Sequence, residues 1–168
     1  VARAGPTPCS PAWAPSVTCG SGGGYAGIVD MKRRGGRPGK GLALEGEDGT
    51  EGGRGWETPA GLINSIGLQN PGVRHFIEYE LPGMKKLGPA VLANLGGSTI
   101  ETYEEGARLL DETNVDFIEL NISCPNVKAG GIAYGVKAES AREVVSRVRA
   151  CTKKPLIVKL SPNAENIT

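Results

Sequence analysis

The sequence is short of cysteine, histidine, aromatic residues, net charge and long apolar runs, and each shortage removes a class of function. Four cysteines (Cys9, Cys19, Cys124 and Cys151) stand in 168 residues, none in a C-x-x-C pair. Neither a metal-ligand set nor a disulfide framework is expected from that spacing, and a reduced, cytoplasmic protein is. Nineteen Lys and Arg balance 18 Asp and Glu, a formal net charge of +1. That balance excludes a nucleic-acid grip driven by bulk charge, and an acidic tail. No apolar run approaches the ~18–20 residues of a membrane span. His75 is the single histidine and falls off the apolar face of its helical pattern, so a Ser-His or Cys-His dyad lacks support. Val1–Ser10 carries no apolar leader-like segment, and none is expected. A start at Val and a stop soon after an apolar run read as a chain cut at both ends.

Glycine is what the sequence has in excess: 26 residues, about twice the usual frequency. Fifteen fall in residues 1–55, beside Pro6, Pro8, Pro11, Pro15 and Pro38, and no periodic apolar pattern runs through them. Composition predicts a loop-rich or disordered stretch there. Gly22-Gly23-Gly24-Tyr25-Ala26-Gly27 fits G-x-G-x-x-G with Glu47 about 20 residues on. A dinucleotide site needs a strand just before it, and Ala12-Trp13-Ala14-Pro15 is not one.

From residue 56 the pattern is that of a folded domain. Asn70-Pro71 reads as a helix start, Val73, Phe76, Ile77 and Leu81 recur at helical spacing, and Pro82-Gly83 reads as the stop. Pro89–Asn94 has strand length, and Gly96-Gly97 breaks it. Ser98-Thr99-Ile100-Glu101 resembles a capping box, followed by a face of Ile100, Tyr103, Ala107 and Leu110. Asp116–Asn121 is the next strand. Residues 138–151 form a helix with Ala141, Val144, Val145 and Val148 on one face, and Leu156–Leu160 is a further strand. Alternation of this kind predicts parallel βα units.

Three of these strands run into a polar residue: Asn94, Asn121 and Lys159. In a βα barrel the C-terminal strand ends build the active site, and an open doubly wound sheet uses the same ends. An amide or amine after a buried apolar run needs a hydrogen-bond partner or a ligand. Just past Asn121 comes Ile122-Ser123-Cys124-Pro125-Asn126, then a loop with Gly130-Gly131. A lone Cys is more often an inert small hydrophobe. Cys124, between two asparagines on the rim shared with Asn94 and Lys159, is placed to serve as a base or nucleophile.

These residues carry a resemblance. Trp56–Gly72, with Asn64-Ser65-Ile66-Gly67-Leu68 at its centre, resembles the substrate loop of class 1 dihydroorotate dehydrogenases, above all the B-type catalytic subunit. Glu119-Leu120-Asn121-Ile122-Ser123-Cys124-Pro125-Asn126-Val127 resembles the catalytic loop of that family, and Pro155–Asn163 its flavin-lysine strand. The resemblance is strong over 56–168 and faint before it. It implies the N-terminal half of one flavin-binding (β/α)8 TIM-barrel domain. The implied reaction is oxidation of dihydroorotate to orotate in pyrimidine biosynthesis, with FMN as cofactor. Cys124 matches the base. Asn64, Ser65, Ile66, Gly67, Leu68, Asn121, Asn126 and Lys40 match substrate contacts, and Ser16, Lys40, Gly41, Asn94, Asn121 and Lys159 match flavin contacts.

The B-type likeness further implies an FAD and iron–sulfur electron-transfer subunit as partner and a homo-oligomer at full length. Residues 1–55 depart from the family: Val17 replaces a glycine, and Arg37-Pro38 stands where an apolar strand is usual. A related dihydropyrimidine dehydrogenase more often has His where Asn126 stands. A non-catalytic barrel fragment is the other alternative. A complete barrel needs about 200–250 residues, so the piece by itself is expected to be inactive.

Overall fold

The computed structural model describes residues 36–123 and 132–161. Four parallel strands form one sheet in the order β1 (Gly36–Leu42), β4 (Ala90–Leu95), β5 (Phe117–Asn121) and β6 (Leu156–Lys159). A separate antiparallel hairpin, β2 (Gly55–Thr58) and β3 (Gly61–Asn64), lies between β1 and β4 in sequence. Successive sheet strands are joined through helices, as in the consecutive units of a (β/α)8 barrel.

The alternation along each strand gives the sheet two unlike faces. Val91, Ala93, Leu95, Ile118 and Leu120 are fully buried in one cluster with Tyr103, Ala107 and Leu110 of α3 (Ile100–Asp111) and Val144 and Val148 of α5 (Ala138–Cys151). The other face carries Leu92, Asn94, Phe117, Glu119, Asn121, Ile157 and Lys159 by the same alternation. Hydrophobic burial fixes the first face against the helices and leaves the second for polar side chains.

Several sequence expectations are corrected. The loop-rich reading of 1–55 misses β1, which carries Arg37 and Pro38 but no run of large apolar side chains. Among the described residues β1 has β4 as its only partner, and a proline is tolerated on such an edge. A register irregularity between Pro38 and Gly41 places Lys40 at a bulge.

The helix read as ending at Pro82-Gly83 continues to Lys86. It runs from α1 (Val73–His75) through a π-helical turn, Phe76–Glu80, into α2 (Leu81–Lys86). Pro82 would clash with the carbonyl four residues earlier in a regular helix. The widened turn, with Leu81 N–H bonded to the Phe76 carbonyl, lets the helix restart with Pro82 in its first turn, where no N–H is needed.

Gly72, not Asn70, caps that helix, at φ +86°. A Cβ there would lie 2.8 Å from Gly46 N, so the entry demands glycine twice over. Asn70 instead accepts the Ala43 and Gly72 amides on Oδ1, both at 3.0 Å. The capping box of α3 lies one residue later than read, formed by Thr99 and Thr102.

The N-terminal ends of the sheet strands are tied by carboxylates. Asp116 Oδ2 accepts from Val91 N and Lys85 Nζ, each at 2.7 Å. Asp111 Oδ1 accepts from Thr152 Oγ1 at 2.6 Å and Lys153 N at 2.7 Å, tying the end of α3 to the turn before β6. His75 lies exposed against Tyr79, in keeping with its place off the apolar face, and Cys151, last in α5, is partly buried against the core.

Candidate active site

At the C-terminal ends of β4 and β5 the inner face carries two buried asparagines. Asn94 is 2% exposed and Asn121 is 7% exposed. Asn121 Nδ2 donates to Asn94 Oδ1 at 3.2 Å. Asn94 Nδ2 donates in turn to Glu119 Oε1, its register neighbour on β5. Asn121 Oδ1 accepts from Ser123 N at 3.2 Å and Ser123 Oγ at 2.9 Å. The Tyr103 hydroxyl, on the helix side, donates to the Asn121 carbonyl at 2.9 Å and holds the end of β5.

Two more elements converge on the pair. Gly41, in register with Asn94, is so close that a Cβ there would lie 3.1 Å from Leu68 Cδ1 and 3.2 Å from Asn94 Oδ1. Leu68, at φ +54°, reaches this point from the loop after β3. Lys159, half-buried, stands opposite Asn121 in the β5–β6 register. The structure therefore brings together Gly41, Leu68, Asn94, Asn121 and the C-terminal end of β6.

Other predicted residues lie apart. Asn64 pairs with Gly55 at the hairpin base and is exposed, as are Ser65 and Ile66. Gly67, at φ +69°, turns against Thr50. Lys40 lines an open cleft of about 400 Å³ with Glu47, Asp48, Gln69, Asn70, Pro71 and Glu80, a lining that includes neither asparagine of the pair. Glu80 is buried there with no hydrogen-bond partner on Oε2. Ser16, Cys124, Asn126, the 22–27 glycine motif, Cys9 and Cys19 lie outside the described residues. Among the described residues no group of three His, Cys, Asp or Glu side chains could hold a metal ion. No described helix is long and apolar enough to cross a membrane.

Sequence reasoning missed Glu119 as a member of the site. Its signal was present: it lies two residues before Asn121, so strand alternation puts both on one face. An acid inside an otherwise apolar strand needs a partner, and here that partner is Asn94.

The family model for dihydroorotate dehydrogenase matches residues 9–168. The catalytic subunit of dihydroorotate dehydrogenase B (NAD(+)) from Petrotoga mobilis is 49% identical over 158 residues, 94% of this chain and 53% of that one. Its counterpart from Bacteroides thetaiotaomicron is 46% identical over 160 residues, 95% of this chain and 53% of that one. The one from Geobacter sp. M21 is 45% identical over 168 residues, 99% of this chain and 55% of that one. The chain thus spans about half the length of these relatives. Among solved structures, DHODH from Eimeria tenella in complex with ferulenol matches with a TM-score of 0.59 at 16% identity, over 76% of this chain and 43% of that one. That likeness speaks for the fold alone. With the buried amide pair at the strand ends and the match running nearly end to end, the chain belongs to the dihydroorotate dehydrogenase family.

Proposed function

We propose that this chain carries the base, the substrate loop and part of the flavin site of a dihydroorotate dehydrogenase that oxidises dihydroorotate to orotate in pyrimidine biosynthesis. The observation that carries the reading is the buried Asn94–Asn121 pair at the ends of adjacent parallel strands, flanked by Gly41 and Leu68. The residues fit a flavin. Bare backbone at Gly41 lets Leu68 and Asn94 close in beside it, and neutral amides hydrogen-bond a polar heterocycle without fixing its charge. Lys159 adds a cation one strand away, where negative charge on a reduced ring is stabilised.

In this reading Gly41, Asn94, Asn121 and Lys159 hold FMN, with Ser16 and Lys40 as further contacts. Asn64–Leu68, Asn121, Asn126 and Lys40 hold dihydroorotate. Cys124, three residues past Asn121, takes the proton from C5. When bound, the flavin supplies the acceptor for the hydride that leaves C6. A thiol of ordinary pKa ~8.5 works as a base near neutral pH when partly ionised. The relatives are named as catalytic subunits of NAD(+) enzymes, which supports an FAD and iron–sulfur partner subunit that passes electrons to nicotinamide. Homo-oligomerisation and a cytoplasmic location belong to the same reading.

The test uses the full-length gene product. Cys124→Ala is expected to keep its flavin and lose dihydroorotate oxidation by at least about a hundredfold, the usual weight of a general base. Cys124→Ser is expected to keep partial activity that rises with pH. Normal turnover by Cys124→Ala at neutral pH overturns the assignment.

A further inference from the structure

The hydrogen bonds around the asparagine pair have a direction, and the direction has an origin. A side-chain amide can turn over and exchange its donor and acceptor ends at little cost in water. Here neither amide is free to do so. A carboxylate only accepts, so Glu119 obliges Asn94 to present Nδ2. Asn94 Oδ1 is then the atom left for Asn121, which answers with Nδ2. Asn121 Oδ1 is thereby turned to the Ser123 backbone N–H, which only donates. An acceptor-only group stands at one end of the chain and a donor-only group at the other, and the two agree. Among the described residues this series uses one hydrogen of each Nδ2 and leaves a second.

We propose that Glu119 is a positioning residue: through Asn94 it sets the orientation of both amides, so that the site presents N–H donors to ring carbonyls or ring nitrogens of the bound heterocycle. Glu119 acts from below the pair and is 7% exposed, within the strand rather than at its tip. Its carboxylate is too well buried to be a surface charge, and its partner is the amide next to Gly41. The ligand class rests on the flavin reading above; the orientation of the amides does not.

Two measurements on the full-length gene product separate these claims. The first needs no flavin. In 15N-labelled protein, Glu119→Leu, of similar size but without an acceptor, is expected to shift the side-chain NH2 resonances of Asn121 as well as Asn94. Glu119→Gln, which still accepts through Oε1, is expected to restore both. Resonances of Asn121 that stay unmoved in a folded Glu119→Leu protein overturn the positioning role. The second is FMN affinity by fluorescence titration. Glu119→Leu is expected to weaken it about tenfold, the weight of a buried hydrogen bond, and Glu119→Gln less than threefold. In an Asn94→Ala background Glu119→Leu is expected to have little further effect, because the two act in series. Additive losses overturn the proposal. A wild-type protein that takes up no flavin sinks the functional reading, while the NMR arm still decides the role of Glu119.

Discussion

Asp116 shows how one carboxylate can fix the spacing of two strands. Burial raises its pKa, but hydrogen bonds from Lys85 and the Val91 amide, with the attraction of Lys85 and Lys154, outweigh burial and hold it below the ordinary carboxylate value. Asp111 is lowered in the same direction, chiefly by the Thr152 hydroxyl and the Lys153 amide. A group whose pKa is depressed on folding adds stability above the unfolded value of ~3.9, and that stability is lost as pH falls through the folded value. Asp116→Asn keeps an acceptor for Val91 but loses the ion pair, which is partly exposed. It is expected to lower stability by about 0.5–1 kcal/mol at pH 7, with the gap closing below pH ~4. Urea unfolding of the full-length gene product at pH 7 and pH 3 checks this; an equal gap at both refutes it. Glu119 is the contrasting residue: it stood in plain view inside an apolar run, but its role depends on Asn94, 25 positions away.

Elements were legible where burial imposes a period. The faces of α3 and α5 follow from their apolar spacing because each lies against the sheet, and the strands ending in Asn94, Asn121 and Lys159 were placed to within about a residue. β1 was not legible, since Gly36, Pro38, Gly39 and Gly41 have no intrinsic strand preference; pairing with β4 makes it a strand. The exposed hairpin, with Trp56, Leu62 and Ile63 in the open, follows no burial pattern either.

Gly106 tests the contact between α3 and β4. A Cβ there would lie 2.6 Å from Leu95 Cδ1, and Leu95 is fully buried. Alanine gains about 1 kcal/mol of helix propensity over glycine. Overpacking a tight core costs about 1–3 kcal/mol. Gly106→Ala is therefore expected to be net destabilising by up to about 2 kcal/mol, read from the urea midpoint of the full-length gene product. A stabilised variant would show that Leu95 has room to turn aside.

At the scale of the molecule, the described sheet has two open edges, β1 and β6, and Ile157 and Leu160 are exposed beside the second. Unpaired strand edges and uncovered apolar surface favour association. The 168-residue chain expressed alone is expected to show no flavin absorbance and no dihydroorotate oxidation, and to aggregate. Soluble yellow protein that reduces an acceptor with dihydroorotate would overturn this.

The sequence by itself determined the βα alternation, the polar residues at three strand ends and the likeness to the family. These depend on local period and on motifs contiguous in the chain. The tertiary structure alone decided that Gly41, Leu68, Asn94 and Asn121 meet at one point, and that Lys40 lines a cleft with Glu47 and Glu80. It also decided that Glu119 bonds to Asn94 and Asn94 to Asn121. Contacts of this kind join residues tens of positions apart through strand pairing and register, and a shift of one residue turns a side chain to the other face.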